Sequence, residues 1–329
     1  LLLLCMKYGE KKNYELKPLF LERMKQIFGS DSDFENYIKS LESEPPISIR
    51  CNTLKISPEE LKKRLENRGW VLTQPFKDYP EIMIVKNELQ PGELGRSMEH
   101  LLGYYYVQEI ASMLPVLALK PKPEETVLDL AAAPGSKTTQ IAAAMNNKGT
   151  IMANDFNLGR LKILASNMER CGVANSILVK KDGIYLCKKL KDFGFQFDKI
   201  LVDAPCSGEG TLRSSDATAK MWNPKTIKIL SRLQKGLLAS AIEILKPGGE
   251  AVYSTCTHAP EENEEVIDFI LKNFKNVQID VIKLPIKCRT GITSWQDKNY
   301  DIEVKKSCRI YPQDNDTEGF FIVKMRRKK

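Results

Sequence analysis

The chain has 329 residues, of which 42% are hydrophobic and 28% charged, the balance of a folded protein with length for two domains. No stretch approaches the roughly 20 consecutive apolar residues that span a bilayer, and the eight cysteines and two histidines form no CxxC or Cys/His cluster, which argues against structural zinc or a secreted disulfide framework. A net charge of +8 favours a polyanionic partner.

Leu1 to Leu4 are apolar but lack the basic leader and cleavage site of a signal peptide, so a cytoplasmic protein is expected. Helical patterns cover Leu16 to Phe28 and Asp33 to Leu41, and Pro45-Pro46 breaks the second. ISIRCNTLK alternates as a strand. SPEELKKRLENRG follows as a helix with Ser57 as N-cap, Pro58 at its first position and Gly69 just past its end. WVLTQPF and EIMIVK are two more strands, giving a β-α-β-β order and a small α+β module of the split βαβ, RRM-like kind. Residues 1–120, leading helices included, form this N-terminal unit. LLGYYYVQEIASMLPVLAL is helical in its second half, and Tyr104 to Tyr106 are expected to pack rather than to stack on bases.

Over residues 121–329 strands and helices alternate. TVLDLAAAPG closes in a Gly turn, and SKTTQIAAAM follows as a helix. TIMANDF, SILVKKD and KILVDAP are further apolar runs, each ending in or beside an aspartate. A long helix from Pro224 to Leu245 precedes the strand EAVYSTC. PEENEEVIDFILKNF is a helix with Pro260 near its start and an acidic first turn, and VQIDVI and GFFIVKM end the chain as strands. The fold class is therefore α/β, a doubly wound, mostly parallel, Rossmann-like sheet whose ligands lie beyond the carboxyl ends of its strands. Basic clusters at 179–192 and 324–329 are most simply solvated faces or tails.

The stretch Ala131, Ala132, Ala133, Pro134, Gly135, Ser136, Lys137 joins a strand to a helix through small residues, so a ligand can approach the backbone and the helix N-terminus. It is neither a Walker loop nor GxGxxG. Asp155 lies 20 residues past Gly135, where a carboxylate accepts from ribose hydroxyls. Asp182 ends the third strand, within reach of an adenine edge, and Asp203 ends the fourth. A Gly turn followed by acidic strand ends, with no pyrophosphate loop, fits S-adenosyl-L-methionine better than NAD.

DAPCSGEGTLR and YSTCT each put one cysteine just beyond a strand, Cys206 and Cys256. Carbon 5 of a pyrimidine is too weak a nucleophile to take a methyl group unaided. A thiolate adding at carbon 6 makes it reactive, and a base must later remove the carbon 5 proton. Asp203 suits the N3 side of the base, and Lys137 offers a cation that lowers a thiol pKa or positions a carboxylate. This chemistry leaves open which thiol attacks.

DLAAAPGSKT, DAPCSGEGTLR and YSTCTHAPEENE together resemble the RNA 5-methylcytosine methyltransferases of the Fmu/Sun/nucleolar-protein family, over most of the chain. ISIRCNTLK, YYVQEIASMLP and GFFIVKM resemble that family's remaining signatures. The resemblance implies a class I methyltransferase domain behind an RNA-binding N-terminal module. It implies that Cys256 is the nucleophile and that Cys206 resolves the adduct. Ala131 to Lys137, Asp155, Asp182 and Asp203 would then bind or border the methyl donor, with Lys137 and Asp203 also facing the base. Ser136 stands where the family has a second glycine. Glu261 and Glu262 are read as structural. The implied partner is RNA, with tRNA favoured over rRNA because the chain lacks long charged extensions, as in an archaeal-type tRNA member. No metal, membrane or obligate protein partner is expected. A DNA cytosine methyltransferase would need a larger target-recognition segment than the chain has after Cys256. A protein or small-molecule methyltransferase would have no use for the paired cysteines.

Overall fold

The computed structural model describes residues 15–329, so the readings made on Leu1 to Leu4 and Cys5 lie outside the described residues. Helix α1 (Pro18–Phe28) begins on Pro18 and stops at Gly29, whose φ of 66° forms a left-handed cap. Helix α2 (Asp31–Ser40) is capped by the Ser30 hydroxyl accepting from Asp33 N. The sequence reading grouped both with the small sheet. Their buried residues Phe20, Met24, Tyr37 and Leu41 pack instead on Leu212, Trp222, Ile227 and Ala259 of the C-terminal half. Charge fixes the docking: Arg23 forks onto Glu261 at 2.8 and 3.0 Å, and Arg289 onto Asp33.

The small sheet follows as β1 (Ser48–Cys51), α3 (Pro58–Glu66), β2 (Leu72–Thr73), β3 (Ile82–Val85), the short α4 (Glu93–Arg96) and α5 (Met98–Leu101), and β4 (Tyr105–Val107). Its order is β2-β3-β1-β4, antiparallel throughout, which is the split βαβ arrangement expected. The β4 strand was not anticipated, because three residues within an aromatic run carry no readable alternation. Its Tyr105 is fully buried with Leu61, Leu65 and Trp70, so the tyrosine run packs as expected.

Helix α6 (Ile110–Leu119) leads into β5 (Thr126–Asp129), α7 (Ser136–Ala144), β6 (Thr150–Asn154), α8 (Leu158–Cys171), β7 (Ser176–Val179), α9 (Gly183–Asp192) and β8 (Phe197–Asp203). The short α10 (Asp216–Met221), the long α11 (Pro224–Glu243), β9 (Leu245–Thr255) and α12 (Glu264–Asn273) complete the alternating part. Strands β7, β6, β5, β8 and β9 lie side by side and parallel, so the order reverses at β5 and opens a crevice at the strands' carboxyl ends.

The sheet is less parallel than the sequence reading had it. β10 (Val277–Asp280), β11 (Arg289–Thr290), β14 (Cys308–Ile310) and β15 (Phe320–Arg327) extend it with antiparallel pairs, while β12 (Ser294–Trp295) and β13 (Lys298–Asn299) make a separate hairpin. Only residues 311–319 join β14 to β15, too few for the crossover that a parallel pair needs. Of the terminal basic run, Lys324 and Arg326 are committed to Glu250 and Asp280. No helix among the described residues is long and apolar enough to cross a membrane.

Candidate active site

The turn after β5 stays close to the backbone because its side chains are small. Ala132 and Ala133 are buried, and Gly135 takes φ 107° as the N-cap of α7. The φ of 107° is one that side-chain-bearing residues rarely adopt, and a Cβ on Gly135 would also push against Leu164 Cδ1 of α8 at 2.7 Å. The turn is fixed from both sides. Asn167 Nδ2 donates to Pro134 O at 2.9 Å, and Arg160 binds Ala133 O. From the small sheet, the buried Arg50 donates to Ser136 O at 2.7 Å and to Thr139 Oγ1 at 2.8 Å, and it also binds Gln108. Its burial pulls its pKa down to about 10.

Three carboxylates converge on this crevice. Asp129, at the end of β5, accepts from Thr138 Oγ1 at 2.7 Å through one oxygen, and its other oxygen is buried without a partner among the described residues. Burial, with Asp203 and Asp155 adding to it, pushes Asp129 up to about 7. Asp155 is 4% exposed, accepts from Asn157 N at 2.9 Å and stands 3.5 Å from Arg160. Asp182 differs: it is exposed and caps α9, accepting from Tyr185 N at 2.9 Å. Asp129, Arg50 and Phe156 were not singled out from the sequence. Phe156 is 72% exposed beside Asp155, and a large aromatic directly after that acid was the available signal. The small turn, the open helix N-terminus, the unpartnered Asp129 oxygen and the exposed ring suit a nucleoside with a charged tail.

The two cysteines meet at the other side of the crevice. β8 and β9 are parallel neighbours with Asp203 in register with Ser254, and the chain beyond each turns so that Cys206 Sγ and Cys256 Sγ lie 3.1 Å apart. Asp203 accepts from Ser254 Oγ at 2.7 Å and pairs with Lys137 Nζ at 2.7 Å. Lys137 also donates to Ser112 Oγ at 2.9 Å, which holds the ammonium against Asp203. The sequence-predicted Lys137, Asp203, Cys206 and Cys256 thus form one constellation.

Bonds between the two loops hold that constellation. Gly210 N donates to Cys256 O at 2.9 Å, and the hydroxyls of Ser207 and Thr257 meet at 2.8 Å. Buried Glu209 accepts from Trp222 Nε1 at 2.7 Å and Thr257 Oγ1 at 3.2 Å. The hydrogen bond to Cys256, reinforced by burial, pushes the Cys206 thiol well above its usual range. The two sulfurs share one S–H···S contact, in which either can be the donor. Helix α12 begins at Glu264, later than expected, because Asn263 accepts from Thr255 Oγ1 at 2.6 Å and donates to Thr257 O at 2.9 Å. Residues 260–263 form a turn there.

Residues 116–326 match the family model described as 16S rRNA methyltransferase RsmB/F, and residues 16–110 match the N-terminal domain of 16S rRNA methyltransferase RsmF. The chain is 43% identical to a tRNA (cytosine(49)-C(5))-methyltransferase of Pyrococcus abyssi, over 85% of this chain and 88% of that one. It is 39% identical to a ribosomal RNA small subunit methyltransferase F of Vibrio parahaemolyticus, over 96% of this chain but only 64% of that relative's length. Among solved structures, a methyltransferase homologue from Pyrococcus horikoshii superposes with TM-score 0.82 at 37% identity, covering 96% of each chain. NSun6 from the same organism, determined with the S-adenosylmethionine analogue SFG, superposes with TM-score 0.81 at 26% identity, over 95% of this chain and 98% of that one.

Proposed function

Because the chain belongs to the RsmB/F family of RNA methyltransferases, we propose that it methylates carbon 5 of a cytosine in tRNA through a covalent bond between Cys256 and carbon 6. The observation that carries this reading is the pair of sulfurs 3.1 Å apart beside the Lys137–Asp203 pair. The family's donor is S-adenosylmethionine, which supplies the methyl group. Ala131 to Lys137 would hold it, with Asp155 on the ribose hydroxyls, Phe156 against the adenine and Asp182 at the rim.

Cys256, whose sulfur meets that of Cys206 at 3.1 Å, adds to carbon 6 as the thiolate. Asp203, held by Lys137 and Ser254, faces N3 and passes a proton from the Lys137 ammonium to it, so that an N3–H bond forms as the ring takes up the displaced electron pair, and the proton returns when carbon 5 takes the methyl group. Once carbon 5 carries the methyl group, Cys206 takes the proton from that carbon. The C–H electron pair becomes the carbon 5–carbon 6 double bond, and the Cys256 sulfur leaves with the electrons of its bond to carbon 6. The module within residues 1–120 grips RNA by backbone and shape, and the target base is unstacked into the crevice.

Transfer RNA is favoured by the tRNA-modifying relative, to which the chain is 43% identical against 39% for the ribosomal one. Small-subunit rRNA is the second reading, favoured by the match of residues 16–110 to an N-terminal domain of that class. The test is transfer of labelled methyl groups into purified tRNA and small-subunit rRNA by wild type, Cys256→Ala and Cys206→Ala, with a denaturing gel for protein–RNA adducts. Expected are 5-methylcytosine in tRNA, no label or adduct with Cys256→Ala, and a trapped adduct with Cys206→Ala. Activity surviving in Cys256→Ala and lost in Cys206→Ala would invert the two roles, and label confined to rRNA would select the second reading.

A further inference from the structure

The two-thiol scheme leaves one proton without a destination. Cys206 must be a thiolate to take the carbon 5 proton, yet its surroundings keep it a thiol. We infer that Glu262 accepts the Cys206 proton and so controls release of the RNA from Cys256, acting through Cys206 as a positioning residue without touching the base. The inference rests on the Cys256–Cys206 assignment proposed above.

The acidic run 261–265 carries the argument. Glu261 is paired with Arg23, Glu264 with Arg309, and Glu265 with Lys235 and Lys298. Glu262 is fully buried and has no cation partner among the described residues. Its Oε2 accepts from Ser207 N at 3.0 Å and from Gln234 Nε2 at 2.7 Å. Gln234 Nε2 also donates to Pro205 O at 2.8 Å, so the carboxylate is tied to the residues on either side of Cys206. Its Oε1 is buried without a partner among the described residues. An open buried carboxylate oxygen is where an arriving proton gains most.

The charges around Glu262 come from several elements. They are Cys206 and Glu209 beyond β8, Tyr253 of β9 and Arg23 of α1, and Arg23 is already held by Glu261. Burial, reinforced by Glu209, outweighs the Ser207 and Gln234 bonds and lifts the carboxyl to about 7, so it can both accept and release a proton near neutrality. In the step itself, the S–H pair stays on Cys206 and an O–H bond forms at Glu262. The thiolate then takes the carbon 5 proton and Cys256 leaves as a thiolate. Glu262 next passes its proton to solvent, the single proton that the overall reaction releases.

The test follows covalent adduct on a denaturing gel in single turnovers, with the full chain, S-adenosylmethionine and a tRNA transcript, from about pH 5.5 to 8.5. Wild type should hold more adduct as pH falls through about 7, because protonated Glu262 cannot accept. Glu262→Gln should form adduct yet release it about 10²-fold more slowly at every pH. Glu262→Asp should restore release with a displaced pH midpoint. If Cys206→Ala traps adduct while Glu262→Gln releases RNA with the wild-type rate and pH profile, the inference fails and the two-thiol scheme stands. If Cys206→Ala traps nothing, the scheme itself fails and takes the inference with it. Should Glu262→Gln not fold, the Asp variant decides: a shifted midpoint supports the role and an unchanged one overturns it.

Discussion

Gly210 lies where three segments cross, and adding one methyl group there tests whether alignment of the thiols governs turnover. Its N–H donates to Cys256 O at 2.9 Å, and its carbonyl accepts from Gly319 N at 2.8 Å. A Cβ at this position would stand 2.2 Å from Gly319 O and 2.9 Å from Cys256 O, where ordinary contact begins at 3.4 Å. Both obstacles are backbone, so the segments must part by about 1 Å. Retreat on the Gly319 side is blocked, since that residue is itself packed on His258, where a Cβ would find Cε1 at 2.2 Å. The displacement therefore passes into the loops that hold Cys206 against Cys256. Overpacking of this kind costs about 1–3 kcal/mol, which a protein of ordinary stability survives. A shift of about 1 Å at reacting groups lowers the rate about 10²-fold. For Gly210→Ala we expect kcat/KM for methyl transfer to fall by that factor, while the Kd for S-adenosylmethionine stays within about twofold. Single-turnover methyl transfer and titration calorimetry measure the two separately. Wild-type turnover in Gly210→Ala would refute the idea that this crossing sets the thiol spacing.

Two further expectations concern burial and charge. His258 is sealed between Tyr37 and Tyr311, and burial, with Arg309 adding to it, pulls its pKa down to about 3. Below its ordinary 6.5 the unfolded chain binds a proton that the folded one refuses, so stability drains as pH falls toward 3, by about 2 kcal/mol at pH 5. Urea unfolding at pH 7 and 5 should show His258→Phe losing less stability than wild type by that amount, and equal losses would refute the assignment. Arg50→Lys cannot keep the fork onto Ser136 O and Thr139 Oγ1, so the Kd for S-adenosylmethionine should rise about tenfold in calorimetry. An unchanged Kd with a lower unfolding midpoint would make Arg50 a structural link alone.

What the sequence made legible was local. The Gly turn, the acid after β6 and the cysteines beyond β8 and β9 are each spelled out within a few residues. Elements with weak local signals were lost: the three-residue β4, and the antiparallel strands β11 and β14, whose pairing depends on β15. The placement of α1 and α2 was also hidden, because an amphipathic helix announces that it has an apolar face without naming what that face covers. Arg50 belongs to the same class, since its partner Ser136 is 86 residues away.

The paired cysteines show where the boundary falls. Their meeting follows from topology: neighbouring parallel strands in the register Asp203–Ser254 bring the third residue past one and the second past the other to the same corner. Their roles do not follow from topology, since two thiols at one corner are chemically alike until something distinguishes them. What distinguishes them arrives from elsewhere in the chain. Gln234 and Glu262 hold both neighbours of Cys206, while the Cys256 carbonyl is bonded to Gly210. One sulfur therefore belongs to the residue whose two neighbours Gln234 and Glu262 hold, and the other to the residue whose carbonyl Gly210 binds. A strand-end motif thus locates the two thiols, and long-range hydrogen bonds make their surroundings differ. For this reason Glu262, read from the sequence as one acid in a helix's first turn, becomes a candidate for the chemistry only once its lack of an ion pair among the described residues is seen beside the four that its neighbours make.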